Sequence, residues 1–127
     1  MSEHTEQCAV VKWFKLQYPK HKRRIIAIPN GAVLSGNKIQ RAKQMNYLKA
    51  EGLKVGASDL FVAVTTDKHS GLWLEMKDKK KTKCTVSQDQ HAHMVDMIEA
   101  GYAATWAAGF DRAKEVIEEY MLDENNR

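Results

Sequence analysis

Apolar positions recur at helical spacing through residues 5–18, where Glu6, Val10, Trp13 and Gln17 share one side and Ala9 and Phe14 flank it. Pro19 ends that pattern. RRIIAIP at 23–29 predicts a short strand, closed by Pro29-Asn30-Gly31 as a turn or loop. A second helix is predicted over 38–51, with Gly52 where a helix C-terminus favours it. GASDLFVAVTT at 56–66 is a glycine-flanked loop entering a strand whose apolar set is Leu60, Val62 and Val64. Asp67 to Gly71 make a hairpin-like turn into a strand over 72–78.

Ser87 and Gln90 form a capping-box pattern that opens a third helix, with Met94, Val95, Met97 and Ile98 as its apolar residues and Gly101 at its close. Residues 102–107 predict a further strand. Asp111 is expected to cap a last helix with Ala113, Val116, Ile117, Tyr120 and Met121 inward. The order is α-β-α-β-β-α-β-α. It describes one compact α/β domain over residues 1–127, with a mixed sheet flanked by helices. A doubly wound order does not fit two middle strands joined by a hairpin.

The composition narrows the class. A chain of 127 residues, 43% hydrophobic and 28% charged, can bury a single core and is expected to be globular. It has no apolar run of membrane-spanning length, and its start lacks a signal-peptide pattern. Cys8 and Cys84 have no metal-ligand spacing, so a reduced, cytoplasmic setting is expected. The net charge of +4 is unevenly spread: residues 111–127 hold six acids and three bases, leaving +7 on the rest. Lys20, Lys22, Arg23 and Arg24 form one basic cluster, and Lys77, Lys79, Lys80, Lys81 and Lys83 another. Such clusters suit a polyanion such as a phosphate backbone, or simply a solvated surface.

The strand over 72–78 carries the candidate chemistry. Alternation puts Leu72, Leu74 and Met76 on one face and Trp73, Glu75 and Lys77 on the other. If it pairs with the preceding strand across the Asp67–Gly71 turn, Asp59 comes close to Glu75 and Lys77. Two carboxylates supply hard oxygen ligands for Mg²⁺, and a lysine can orient water or stabilise charge growing on a phosphate. A salt-bridged strand face is the competing reading. His91 and His93, two apart on a helix, make a poor metal pair, and Cys84 has no nearby base. Asn30 either touches DNA or caps a turn. Trp73 either supports the site or stacks a base.

Asp59 followed across a short hairpin by Glu75-Met76-Lys77 resembles the D…(D/E)xK signature of the PD-(D/E)xK nucleases. The surrounding blocks, Ile28-Pro29-Asn30-Gly31, LKAEGLKVGASDLFV, LWLEMK and SQDQHAHMVDMIEAGY, are similar to the virus-type replication-repair nuclease (VRR-NUC) family in its small stand-alone, phage-like form. They span roughly residues 6–120. The resemblance implies a restriction-endonuclease-like fold and a Mg²⁺- or Mn²⁺-dependent DNA endonuclease.

In that case Asp59 and Glu75 bind the metal, Met76 adds its carbonyl, and Lys77 is the catalytic lysine. Gln90 matches the family glutamine opening the next helix, besides its capping role. Glu6 matches the first-helix acid that often completes the metal site, with Glu3 as its rival. Lys79, Lys80 and Lys81, together with Lys22, Arg23, Arg24 and Asn30, would contact DNA. The chain departs from the family in having Ser58 where a proline usually precedes the motif aspartate. By analogy the substrate is branched DNA such as a four-way junction, cut by a homodimer. A flap-type or restriction-type nuclease and a non-catalytic DNA-binding module are the alternatives.

Overall fold

A computed structural model describes residues 2–29, 34–80 and 86–124. Its elements are α1 (Glu3–Gln17), a 3₁₀ turn (Pro19–His21), β1 (Ile25–Ala27), α2 (Lys38–Ala50), β2 (Leu60–Val62), β3 (Leu72–Lys77), α3 (Gln88–Glu99), β4 (Ala103–Ala108) and α4 (Gly109–Met121). The strands form one sheet in the order β1-β2-β3-β4. β1, β2 and β3 pair antiparallel, and β4 joins β3 in parallel after the α3 crossover, so the sheet is mixed as expected.

Side-chain alternation on β3 divides the molecule into layers. Leu72, Leu74 and Met76 are buried with Leu60 and Val62 against Val10 and Phe14 of α1 and Ala113 and Ile117 of α4. This is the main core. On the opposite face Trp73 meets Phe61, Tyr102 and, edge-on, His93 of α3. The sheet is thus covered by α1 and α4 on one side and by α3 on the other.

Several boundaries differ from the expected ones, each for a local reason. α1 starts at Glu3 because Ser2 caps it, its hydroxyl accepting the Thr5 N–H at 3.1 Å. Its inward stripe is Glu6, Val10 and Phe14, while Gln17 is exposed. β1 is shortened because Arg24 N–H is drawn back to the His21 carbonyl. On α3, His93 and Met94 are buried and Ile98 is exposed, since the helix turns its histidine onto Trp73. α4 begins at Gly109, before Asp111, and no side chain of its N-cap residue Ala108 caps it. Gly109 turns the end of β4 directly into helix with φ 81, and a Cβ there would lie 2.7 Å from Lys79 Cβ. A longer residue would be strained and crowded at once.

Candidate active site

The hairpin register fixes the central pair. Leu60 lies opposite Leu74, so the next residues outward, Asp59 and Glu75, come face to face. The two hold each other through the backbone: Met76 N–H donates to Asp59 Oδ2 at 2.7 Å, and Asp59 N–H donates to Glu75 Oε2 at 3.2 Å. Glu75 is buried. Burial, together with the hydrogen-bonded and negatively charged carboxyl of Asp59, pushes its carboxyl up to about 8, against a smaller opposing pull from Lys77. The pair therefore holds a proton near neutral pH, the usual outcome for two acids sharing a site.

α3 supplies the third member. Ser87 caps the helix and Gln90 at its third position closes a reciprocal capping box. The same amide reaches the sheet: Gln90 Nε2 donates to Glu75 Oε1, and Gln90 Oε1 accepts from Lys77 Nζ at 2.9 Å. Lys77 Nζ stands 4.0 Å from Glu75 Oε1. Gln90 therefore caps α3 and hydrogen-bonds both Glu75 and Lys77. Gly56, three residues before Asp59, lies so close to the Asp89 backbone that a Cβ would sit 2.5 Å from it. This contact locks the loop carrying Asp59 against the first turn of α3.

A cavity of about 550 Å³ opens beside the pair, lined by Asp59 and Met76 on the sheet and by Glu3, His4, Gln7 and Lys12 along α1. Sequence reasoning missed most of this lining. The signal was present as a 3, 4, 7, 8, 11, 12 stripe on α1, beside the buried stripe of Glu6, Val10 and Phe14. Glu6 does not line this cavity: its buried carboxylate accepts the Phe110 N–H at the start of α4, beside Gly109 and Lys79. It takes the place of the missing side-chain cap, where a helix N-terminus favours negative charge. Glu3, the rival acid, lines the cavity with Asp59.

The oxygen donors Asp59, Glu75 and the Met76 carbonyl have the chemistry of a hard divalent-cation site, and a proton shared by two crowded acids is what a cation can displace. Among the described residues no three His, Cys, Asp or Glu side chains converge tightly enough to hold an ion alone. A metal here would take the two sheet carboxylates, with water or phosphate oxygens filling the remaining positions.

The basic residues divide. Lys79 and Lys80 are exposed just past β3, beyond Lys77. Lys22, Arg23 and Arg24 are exposed at the opposite end of the sheet. Ala27 lies beside Leu60 near the site, whereas Ala63 N–H bonds to the Arg24 carbonyl at the far end of β2. Arg24 is also held by His21, which pairs with Glu124 at 2.8 Å. The structure therefore does not bring the two clusters together. Asn30 and Lys81 lie outside the described residues, as does Cys84. Trp73 is packed under α3, and its Nε1 and His93 Nε2 are buried and lack hydrogen-bond partners among the described residues. Burial holds the His93 imidazole below its usual range.

No family model and no curated protein matches the sequence. A solved structure described as a VRR_NUC domain protein aligns with a TM-score of 0.78, covering 96% of this chain and 89% of that one at 23% identity. The mixed four-stranded sheet and the four α-helices of the described residues thus form a fold similar to that of a VRR_NUC domain protein.

Proposed function

We propose that this chain is a nuclease of the VRR-NUC family, hydrolysing phosphodiester bonds in DNA with Mg²⁺ or Mn²⁺. One observation carries the reading: Asp59, Glu75, Lys77 and Gln90 form a single connected cluster beside an open cavity. Lys77 and Glu75 do form an ion pair at 4.0 Å, but a salt-bridged strand face, the competing reading, gives no reason for the Asp59–Glu75 pairing or for Gln90 bonding to both Glu75 and Lys77. The fold likeness supports the same reading by analogy.

When bound, the cation supplies Lewis acidity at phosphorus and an acidified water. Asp59 and Glu75 offer their carboxylate oxygens from a rigid hairpin, and Met76 adds its carbonyl. Lys77 holds one donor toward the reacting group and stabilises charge developing on the phosphate oxygens. Gln90 positions both Glu75 and Lys77. The water oxygen bonds to phosphorus while the phosphorus–oxygen bond to one sugar breaks, and the leaving oxygen takes a proton.

Branched DNA, four-way junctions in particular, is the proposed substrate, and a homodimer would place two sites on paired strands. No helix among the described residues is long and apolar enough to cross a membrane. The substrate is tested with matched linear, flap, splayed and four-way DNA in Mg²⁺, Mn²⁺ or EDTA. Metal-dependent cutting that is fastest on the four-way junction is expected. Equal cutting of linear DNA refutes the junction preference, and binding without any cutting favours the non-catalytic module.

A further inference from the structure

Helix α2 is not accounted for by the core or by the candidate site. None of its residues is buried, and it makes no substantial packing contact with another described element. Ile39 and Tyr47 are 68% and 69% exposed. Helices of about 13 residues are marginal in water without packing or ion pairs along their faces. α2 has little of either among the described residues: only Gln44, Met45 and Leu48 are half-buried, its charged residues are Lys38, Arg41, Lys43 and Lys49, and no acid occurs from 38 to 50.

Its ends are built carefully all the same. Asn37 and Gln40 form a capping box. Gly52 N–H bonds to the Lys49 carbonyl and Leu53 N–H to the Leu48 carbonyl, both at 3.0 Å, closing a Schellman motif. Gln44 is tied to the Ser35 backbone by two hydrogen bonds. The result is a preformed cationic rod about 20 Å long. Its C-terminal end leads within a few residues to Gly56, seated on the first turn of α3, and to Asp59.

We propose that α2 docks along the phosphate backbone of the duplex whose scissile phosphate lies at Asp59 and Glu75. This rests on the nuclease reading and adds the surface that grips DNA away from the cut. A duplex carries about 12 phosphates over the rod's length, both strands counted, more than enough to engage four cations. The helical wheel spreads the four cations over more than half of the circumference, as suits a helix flanked by two phosphate strands. A protein partner fits less well. Lysine is depleted from protein interface cores, and Lys43 stands between Ile39 and Tyr47 on the exposed side.

The test replaces Lys38, Arg41, Lys43 and Lys49 together by Gln, which keeps helix propensity, and measures binding to duplex and four-way DNA in EDTA across a salt series. Each phosphate that the protein no longer neutralises makes the slope of log K against log[salt] shallower by about 0.9, so the variant's slope should be shallower by about two to four. At 0.1 M salt its affinity should be about 50-fold or more weaker, with helix content unchanged. Cleavage at saturating DNA should persist with a raised KM.

An unchanged slope and KM in a variant that still cuts overturns the docking of α2 and leaves the nuclease reading standing. A parent protein that neither binds nor cuts DNA overturns both. An unchanged slope, combined with dissociation of an oligomer by Ile39→Glu or Tyr47→Glu, overturns DNA docking in favour of a second copy on this face.

Discussion

Replacing Glu75 by Gln should make the metal-free protein more stable in alkali, an unusual result for removing a charge from a candidate active site. The folded carboxyl lies near 8, against 4.5 for an unperturbed glutamate. Because the folded value is raised, the folded state holds its proton more tightly than the unfolded chain does. Glu75 therefore does no harm below pH 4.5; stability drains away as pH rises toward 8 and then levels off. Complete linkage over that window corresponds to about 5 kcal/mol. Solvent screening and relaxation of the carboxyl pair reduce this to about 1–2 kcal/mol, or about 3–8 °C in Tm for a domain of this size.

The assay is thermal unfolding of the parent and Glu75→Gln from about pH 4.5 to 9 in EDTA. The two curves should nearly coincide at the acid end and separate progressively from about pH 4.5 to about 8, with the variant higher. Because only residue 75 differs, the difference curve reports on the Asp59–Glu75 pair. Adding Mg²⁺ at about pH 8 should raise the parent's Tm and release protons, with neither effect in the variant. Parallel curves at every pH would refute the shared-proton description of Asp59 and Glu75.

Gln90→Ala removes the amide's bonds to Glu75, Lys77 and the Ser87 backbone; it should lower stability by about 2 kcal/mol in chemical denaturation. Its cleavage rate should fall with little change in DNA affinity, since Gln90 acts through its neighbours. Glu6→Gln should lower stability by about 1 kcal/mol by weakening the charge at the α4 N-terminus, while metal affinity measured by calorimetry stays near that of the parent. A large drop in metal affinity would return Glu6 to the metal site. Leu74→Ala, at the centre of the core, should cost about 2–5 kcal/mol in the same denaturation experiment.

Much of the fold was legible because it is written in short-range patterns. The 72–77 alternation identified which side chains enter the core. Ser87 and Gln90 marked the start of α3, and Gly52 marked the end of α2. The hairpin turn then placed Asp59 opposite Glu75. Contacts between distant segments were not legible. Glu6 was recognisable as an inward acid, but the Phe110 N–H that it meets lies 104 residues away. The cluster at 22–24 looked like part of one basic surface until β1 paired with β2 and carried it to the other end of the sheet. Helix α2 was predicted correctly as a helix, yet only its slight packing against the other described elements distinguishes its lysines from an ordinary solvated face.

Whether Asp59, Glu75 and Lys77 form a metal-dependent phosphodiesterase site is decided by the single-turnover cleavage rate of labelled four-way DNA in Mg²⁺. The parent is compared with Glu75→Ala and Lys77→Ala, with EDTA as the control. The parent should cut, EDTA should abolish the cutting, and each variant should be slower by about 100-fold or more with folding retained. Full-rate cutting by either variant, or no cutting by the parent with Mg²⁺ or Mn²⁺ on any DNA form, would overturn the assignment.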